Sequence, residues 1–569
     1  MKIARLLLVF TLLAQVAWAQ RALPGSVYSA TKTAESQRGM VVAPHPLASA
    51  AGVEILKQGG NAIDAAVAVQ WVMAVVYPRA GNVGGGGFMV IRLKDGATAA
   101  IDYREKAPLA AHRDMYLDSL GQVMPRLSQD GHLAAGVPGT PAGLLEVHRK
   151  YGRLPMAQLM ARAIEYADKG FSISEGEAAR LNSFQEAYRK QNTAPTVFIK
   201  DQWKAGDRLV QKDLAAVLKR IRKQGAAGFY EGKTADLIAQ EMQRGGGIIT
   251  REDLKNYRAQ WRTPVSGQYK GYRVISMPPS SSGGVALLQM LEMVEPYPLG
   301  QYGFQSAEAV HLMAEAERRA YADRAEYLGD TDFYKVPMDS LLNETYLRGR
   351  MADFNPAKAG QSAALGAGKF QLTKESFETE HTSIVDAEGN AVSVTTTLNS
   401  NYGGKVVVGG GGFFLNNEMD DFSVKPGVPN QFGLVGNEAN AIQPGKRMLS
   451  SMTPTIVEKD GQLFMVLGAP GGSTIITAVF QVLLNVVEFN LDLESAVNAG
   501  RFHHQWLPDQ IMVEEAALSP QVRQALTDKG HKLQSVKYMA VIKAIQRLPD
   551  GRLIGAGDPR NPDDDAEGE

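Results

Sequence analysis

The sequence contains no cysteine, which excludes disulfides, thiolate nucleophiles and cysteine metal sites together. It also lacks any charge imbalance: Lys+Arg and Asp+Glu both number 60, for a formal net charge of +0. Nucleic acids and anionic membrane surfaces are bound through a basic excess or patch, so neither partner is expected. Long apolar runs are scarce as well. The run over residues 6–16 follows Met1-Lys2-Ile3-Ala4-Arg5, precedes Ala17-Trp18-Ala19 and is too short to cross a bilayer. A positive start, a short apolar stretch and a small-x-small site describe a secretory signal peptide. Removal of residues 1–19 and export are therefore expected, to the periplasm or the medium, with no membrane span left; a retained N-terminal anchor is the alternative. No internal repeat is visible.

What is present is an ordinary globular composition. With 569 residues, 44% of them hydrophobic and 21% charged, the chain can bury a large core in one big domain or several. Residues 46–58 read as a helix that stops at Gly59-Gly60-Asn61, and the Ala-rich stretch 64–76 reads as a second helix buried between layers. The glycine run Asn82-Val83-Gly84-Gly85-Gly86-Gly87 enters a strand. Without a following lysine and helix it is no phosphate loop. Residues 155–245 read as amphipathic helices of an outer layer, and residues 261–277 as strands. Residues 311–328 form a long helix whose many charges suggest a solvated or network-forming face. Residues 341–377 read as a linker, and the acidic tail 561–569 as frayed.

The most informative stretch is Thr379-Glu380-His381-Thr382-Ser383-Ile384-Val385 with Ala391-Val392-Ser393-Val394-Thr395-Thr396-Thr397, two β-branched runs around the turn Asp386-Ala387-Glu388-Gly389-Asn390. It reads as a β-hairpin. If Asp386 and Asn390 close the turn, Thr379 lies opposite Thr397. Alternation then puts Thr379, His381, Ser383, Ser393, Thr395 and Thr397 on one hydroxyl-lined face, and Ile384, Val392 and Val394 on a core face. The polar face suits a catalytic wall. Thr also has high β propensity, so on pattern alone a plain Thr-rich strand is the competing reading.

The hairpin does not stand alone. Thr379-Glu380-His381-Thr382-Ser383, Asn416-Asn417-Glu418-Met419-Asp420-Asp421-Phe422-Ser423, Leu449-Ser450-Ser451-Met452 and Gly468-Ala469-Pro470-Gly471-Gly472-Ser473 resemble, in order and spacing, the small subunit of the γ-glutamyltranspeptidase family. Gly59-Gly60-Asn61-Ala62-Ile63-Asp64-Ala65-Ala66 and Pro278-Pro279-Ser280-Ser281-Ser282-Gly283-Gly284 resemble its large subunit. The resemblance implies an α+β fold of the N-terminal-nucleophile hydrolase type, a four-layer αββα sandwich with two mostly antiparallel sheets. It implies a precursor that cuts itself between Glu378 and Thr379 into a large subunit (20–378) and a small one (379–569), which stay together as one unit.

The resemblance also implies site roles. Thr379 is the nucleophile, its own α-amine the base, Thr397 its hydrogen-bonding partner, and Gly471 and Gly472 the oxyanion hole. Arg104, Ser450 and Ser451 hold the α-carboxylate of a γ-glutamyl donor such as glutathione, while Asn399, Glu418 and Asp421 hold its ammonium. Acceptors are water, amino acids or dipeptides, and neither cofactor nor metal is implied. His503-His504 and His381 are read as structural. Glu418 stands where some bacterial members have glutamine, and Phe432 where several have a lid tyrosine, so the lid's hydrogen bond to Asn399 is in doubt. A glutaryl (cephalosporin) acylase of the same fold and an inactive binding homologue are the rival readings.

Overall fold

The structure, a computed structural model, describes residues 31–365 and 379–569. The expected leader (1–19) and Glu378 lie outside them. Strands β1 (Thr33–Ser36), β2 (Met40–Ala43), β3 (Gly86–Arg92), β4 (Thr98–Asp102), β5 (Gln260–Arg262), β6 (Val265–Tyr269) and β7 (Tyr272–Ser276) precede Thr379. Strands β8 (Glu380–Val385), β9 (Ala391–Thr397), β10 (Thr455–Lys459), β11 (Gln462–Gly468), β12 (Lys543–Arg547), β13 (Leu553–Ala556) and β14 (Asp565–Gly568) follow it. They build two seven-stranded sheets, ordered β14-β2-β8-β9-β3-β4-β5 and β1-β13-β12-β11-β10-β7-β6. Every neighbouring pair in both is antiparallel.

The alternation of side chains across the first sheet sorts its neighbours. Val41, Met89, Ile91, Ile384, Val392 and Val394 pack with helices α1 (Pro46–Lys57) and α2 (Ala62–Val76). Their strand neighbours Met40, Val42, Phe88 and Val90 face the second sheet and join the core under α3 (Gly283–Val294), α4 (Ala307–Tyr327) and α5 (Thr474–Val487). The result is the expected helix-sheet-sheet-helix sandwich. In α2 every residue is buried, and its start is fixed by a capping box between Asn61 and Asp64.

The hairpin has the expected register: Glu380 faces Thr396 and Val385 faces Ala391, which carries Thr379 opposite Thr397. The turn closes through Asp386, whose amide donates to Asn390 O at 3.1 Å. The hydroxyl face, however, is no open wall. It is buried between the sheets, where Ser393 Oγ donates to Leu467 O (3.1 Å) and accepts from Thr455 N (2.9 Å). Ser383 Oγ donates to Lys543 O at 3.1 Å, so it accepts from His381 Nε2 at 3.2 Å, and His381 Nδ1 accepts from Thr395. His381 is thus a neutral packing residue, as expected, and burial, with help from Lys543, holds its pKa well below the usual value. Only the Thr379/Thr397 end of the face opens to a pocket.

Two other expectations are corrected and a third is resolved. The acidic tail is not frayed: β14 pairs with β2, and buried Asp564 meets buried Lys543 at 3.1 Å. Of the two readings of the α4 charges, the network-forming one holds, with buried pairs of Arg319 with Glu315 at 2.6 Å and Arg318 with Glu315 at 3.2 Å. Much of the supposed linker is built into the fold. Glu344–Arg350 is a helix, and Ser362 is held from three sides by Arg318 Nη1, Asp509 and Trp506 Nε1. The rest of that stretch, 366–377, falls outside the described residues.

Candidate active site

Thr379 leads into β8, 7% exposed, and borders two small pockets. One is lined by nearly every residue the sequence pointed to: Arg104, Thr397, Asn399, Glu418, Asp421, Ser450, Ser451 and Gly472. Gly471 lines the other. The strands deliver these groups: β4 ends just before Arg104, β9 ends at Thr397, and β11 leads through Gly471 and Gly472 into α5.

The hydroxyls are oriented by what already donates to them. Thr397 Oγ1 accepts from Asn399 N at 2.7 Å, which leaves its own O–H to donate. Ser450 Oγ accepts from Met452 N at 3.1 Å and Ser451 Oγ from Arg324 Nη2 at 3.2 Å. Both serines therefore offer O–H donors to the pocket. Asn399 adopts φ 73° and gives its side-chain N–H to Asn417 O at 2.9 Å.

Gly471 and Gly472 have φ 141° and 54°, conformations that a side chain resists. A Cβ on Gly471 would sit 2.6 Å from Ala540 Cα, and one on Gly472 2.8 Å from the Phe432 ring. Among the described residues neither amide donates a hydrogen bond. Two idle N–H groups beside the first turn of α5, where the helix dipole adds positive potential, can receive an oxyanion.

Arg104 is fully buried and ion-paired on both sides, through Nη1 to Glu418 and through Nη2 to Asp421, while Nε donates to Met448 O at 3.3 Å. Burial raises the pKa of Glu418 and of Asp421 against the pull of Arg104, and raises that of Glu105, 3.7 Å from Arg104, to about 8. The groups expected at opposite poles of a ligand thus hold each other. The free space among them is about 20 Å³, room for about one water.

The lid segment 426–434 closes the pocket without a tyrosine. Phe432, 4% exposed, lies over Gly472. Asn430 Oδ1 accepts from Phe432 N (2.9 Å) and Leu434 N (3.2 Å) while its Nδ2 donates to Asp421 Oδ1 at 3.2 Å. Ser400 Oγ donates to Gln431 Oε1 at 2.7 Å. The lid is anchored on Ser400 and Asp421 rather than on Asn399.

Sequence reasoning missed Arg324, Asn430 and Glu105. Arg324 hid among the alternating charges of α4, whereas Glu105 follows Arg104 directly. His503 and His504 have separate partners, Thr477 with Gln505 and Trp506 N with Asp509. A different set, His311, Glu315 and His531, clusters closely enough to hold a metal. Glu315 there is already taken by Arg318, Arg319 and Gly360 N, and two guanidinium charges oppose a cation.

Comparison with known proteins agrees with this geometry. The family profile described as Gamma-glutamyltranspeptidase matches residues 48–568. The glutathione hydrolase proenzyme of Escherichia coli (strain K12) is 48% identical over 532 residues, 93% of this chain and 91% of that protein. Among solved structures, a cephalosporin acylase from Bacillus halodurans superposes with TM-score 0.82 at 28% identity, covering 97% of this chain and 99% of that one. The γ-glutamyltranspeptidase of Helicobacter pylori gives TM-score 0.55 at 46% identity over 58% of this chain and 96% of its own. The chain belongs to the γ-glutamyltranspeptidase family.

Proposed function

We propose that this enzyme cuts its own chain between Glu378 and Thr379, and that Thr379 then transfers γ-glutamyl groups from glutathione or similar amides to water, amino acids or dipeptides. What supports the reading is that Thr379 lies opposite Thr397 and borders the pockets lined by Thr397, Gly471 and Gly472, the last two with amides that donate to no described residue.

Before the cut the Thr379 nitrogen is an amide without a basic lone pair. Afterwards it is an α-amine, with a reference pKa of about 7.7–8.0, able to take the hydroxyl proton. Thr379 Oγ1 attacks the γ-carbonyl, the oxyanion lies against the Gly471 and Gly472 amides, and the amine passes its proton to the departing nitrogen. The ester on Thr379 is then opened by water or an amine, whose proton returns by the same route. We assign Ser450, Ser451 and Arg104 to the donor's α-carboxylate, and Glu418, Asp421 and Asn399 to its ammonium. Export to the periplasm on residues 1–19 belongs to the same proposal.

The similarity to a cephalosporin acylase keeps a glutaryl-transferring reading in view. A glutaryl group has no ammonium to offer Glu418 and Asp421, which disfavours it. Mass spectrometry for a fragment starting at Thr379, with a chromogenic γ-glutamyl anilide assay, tests the proposal. An intact chain, or hydrolysis of glutaryl but not γ-glutamyl anilide, would overturn it.

A further inference from the structure

The donor pocket holds a second guanidinium that, among the described residues, has no carboxylate within ion-pair distance. Arg324, near the end of α4, is 5% exposed and lines the pocket with Arg104, Glu418 and Asp421. Arg79, Arg104, Arg318, Arg319, Arg447 and Arg501 are buried still more fully, and each has a carboxylate within ion-pair distance. Among the described residues Arg324 pairs with none. It has only hydroxyls: Nε donates to Ser282 Oγ at 2.9 Å and Nη2 to Ser451 Oγ at 3.2 Å. Hydroxyls solvate a buried cation without neutralising it, and the carboxylate that does act on it, Asp421, does so from beyond ion-pair distance and is already paired with Arg104, so this corner favours an entering anion.

Its bonds lead to both serines. Ser282 Oγ donates to Ser450 O at 2.6 Å, and Ser282 N donates to the same oxygen at 2.8 Å. Arg324 thus fixes the backbone of Ser450 through Ser282 and turns the Ser451 proton away from itself. At the other end of the pocket Arg104 is already shared between two carboxylates. Two cations and two carboxylates line the pocket, and the unpaired cation stands beside the serines.

We infer that Arg324 is a positioning residue for the donor's α-carboxylate, aiming the Ser451 hydroxyl at it and supplying the counter-charge that Arg104 has given to Glu418 and Asp421. The inference rests on the donor orientation proposed above. Burial lowers the Arg324 pKa to about 10, which leaves it charged at neutral pH.

The test compares two anilides on fully cut enzyme: γ-glutamyl anilide, and 4-aminobutyryl anilide, which has the same acyl chain and amine without the carboxylate. Arg324→Met should raise KM for the γ-glutamyl donor by about 10- to 100-fold, the range of a charge-assisted hydrogen bond, with a much smaller change in kcat. The kcat/KM for 4-aminobutyryl anilide should stay level or rise, and Arg324→Lys should recover part of the loss. Because Arg324 acts through Ser451, Ser451→Ala should cost far less in the Arg324→Met background than alone. If Arg324→Met does not mature, Ser282→Ala keeps the charge and loosens its anchor, and should show a smaller loss with the same donor preference. Equal loss on both donors, or additive losses with Ser451→Ala, would make Arg324 a mere brace of α4. Wild-type enzyme inactive on γ-glutamyl anilide would instead refute the function itself.

Discussion

Replacing Asp421 by Asn probes the ammonium pole most sharply, because the structure shows what the missing charge leaves behind. Asp421 accepts from Arg104 through one oxygen and from Asn430 Nδ2 through the other. Asn430 cannot turn over to help, since its own oxygen holds Phe432 N and Leu434 N. An asparagine has one acceptor oxygen for these two donors, so one is left unmet. That part, about 1 kcal/mol or about fivefold in rate, falls on every substrate. A γ-glutamyl donor also loses the charge partner of its ammonium, which brings the total to about 2–4 kcal/mol, or about 30- to 1000-fold in kcat/KM. Glutaryl anilide has no ammonium and should lose no more than the common part. The assay is kcat/KM for both anilides on protein shown by mass to be fully cut, so that slow maturation cannot imitate weak binding. An unchanged ratio of the two constants would refute the two-pole account and leave Asp421 as a lid anchor.

The other expected outcomes are shorter. Thr379→Ala should run as one uncut chain on a denaturing gel and hydrolyse no anilide; cutting at the same bond would remove Thr379 as the processing nucleophile. Arg104→Lys keeps the charge but not the planar fork that spans Glu418 and Asp421, so KM for γ-glutamyl donors should rise far more than kcat falls, and equal KM values would take Arg104 out of donor binding. Burial raises the Asp420 pKa to about 6. A carboxyl raised in the folded state contributes stability below its unfolded pKa, about 3.9, and loses it as pH climbs through 6. Unfolding free energies of wild type and Asp420→Asn from denaturant titrations, followed between these pH values, should therefore diverge by roughly 3 kcal/mol, and parallel curves would show that Asp420 does not titrate there.

How far the sequence could be read depended on the range of the interactions. The hairpin register was legible because Asp386 and Asn390 close a turn within a few residues, and the glycines 471–472 because their spacing to Thr379 carries a family signature. Burial was not. Ser383, Ser393 and Thr395 look polar on a single strand, and only the second sheet, arriving with Leu467 and Lys543, makes their face interior. Asp564 looked like part of a loose acidic tail because its partner Lys543 is placed by a different stretch of chain. Arg324 and Arg319 sit in the same helix with the same local pattern. One meets Glu315 a turn away, whereas the other meets hydroxyls on segments distant in sequence.

The strand order has a consequence for how often this protein can fold. In the first sheet β2, from before Thr379, lies between β8 and β14, from after it; in the second, β1 and β7 flank a block of four later strands. Before the cut, folding is a first-order event whose rate ignores dilution. After it, the same hydrogen-bonded order joins two molecules, and neither can leave without unzipping strands from the middle of a sheet. The cut protein should therefore remain assembled at any dilution while native, yet once denatured its recovery becomes second order and fades as concentration falls. One broken peptide bond turns a reversible structure into one that is made once.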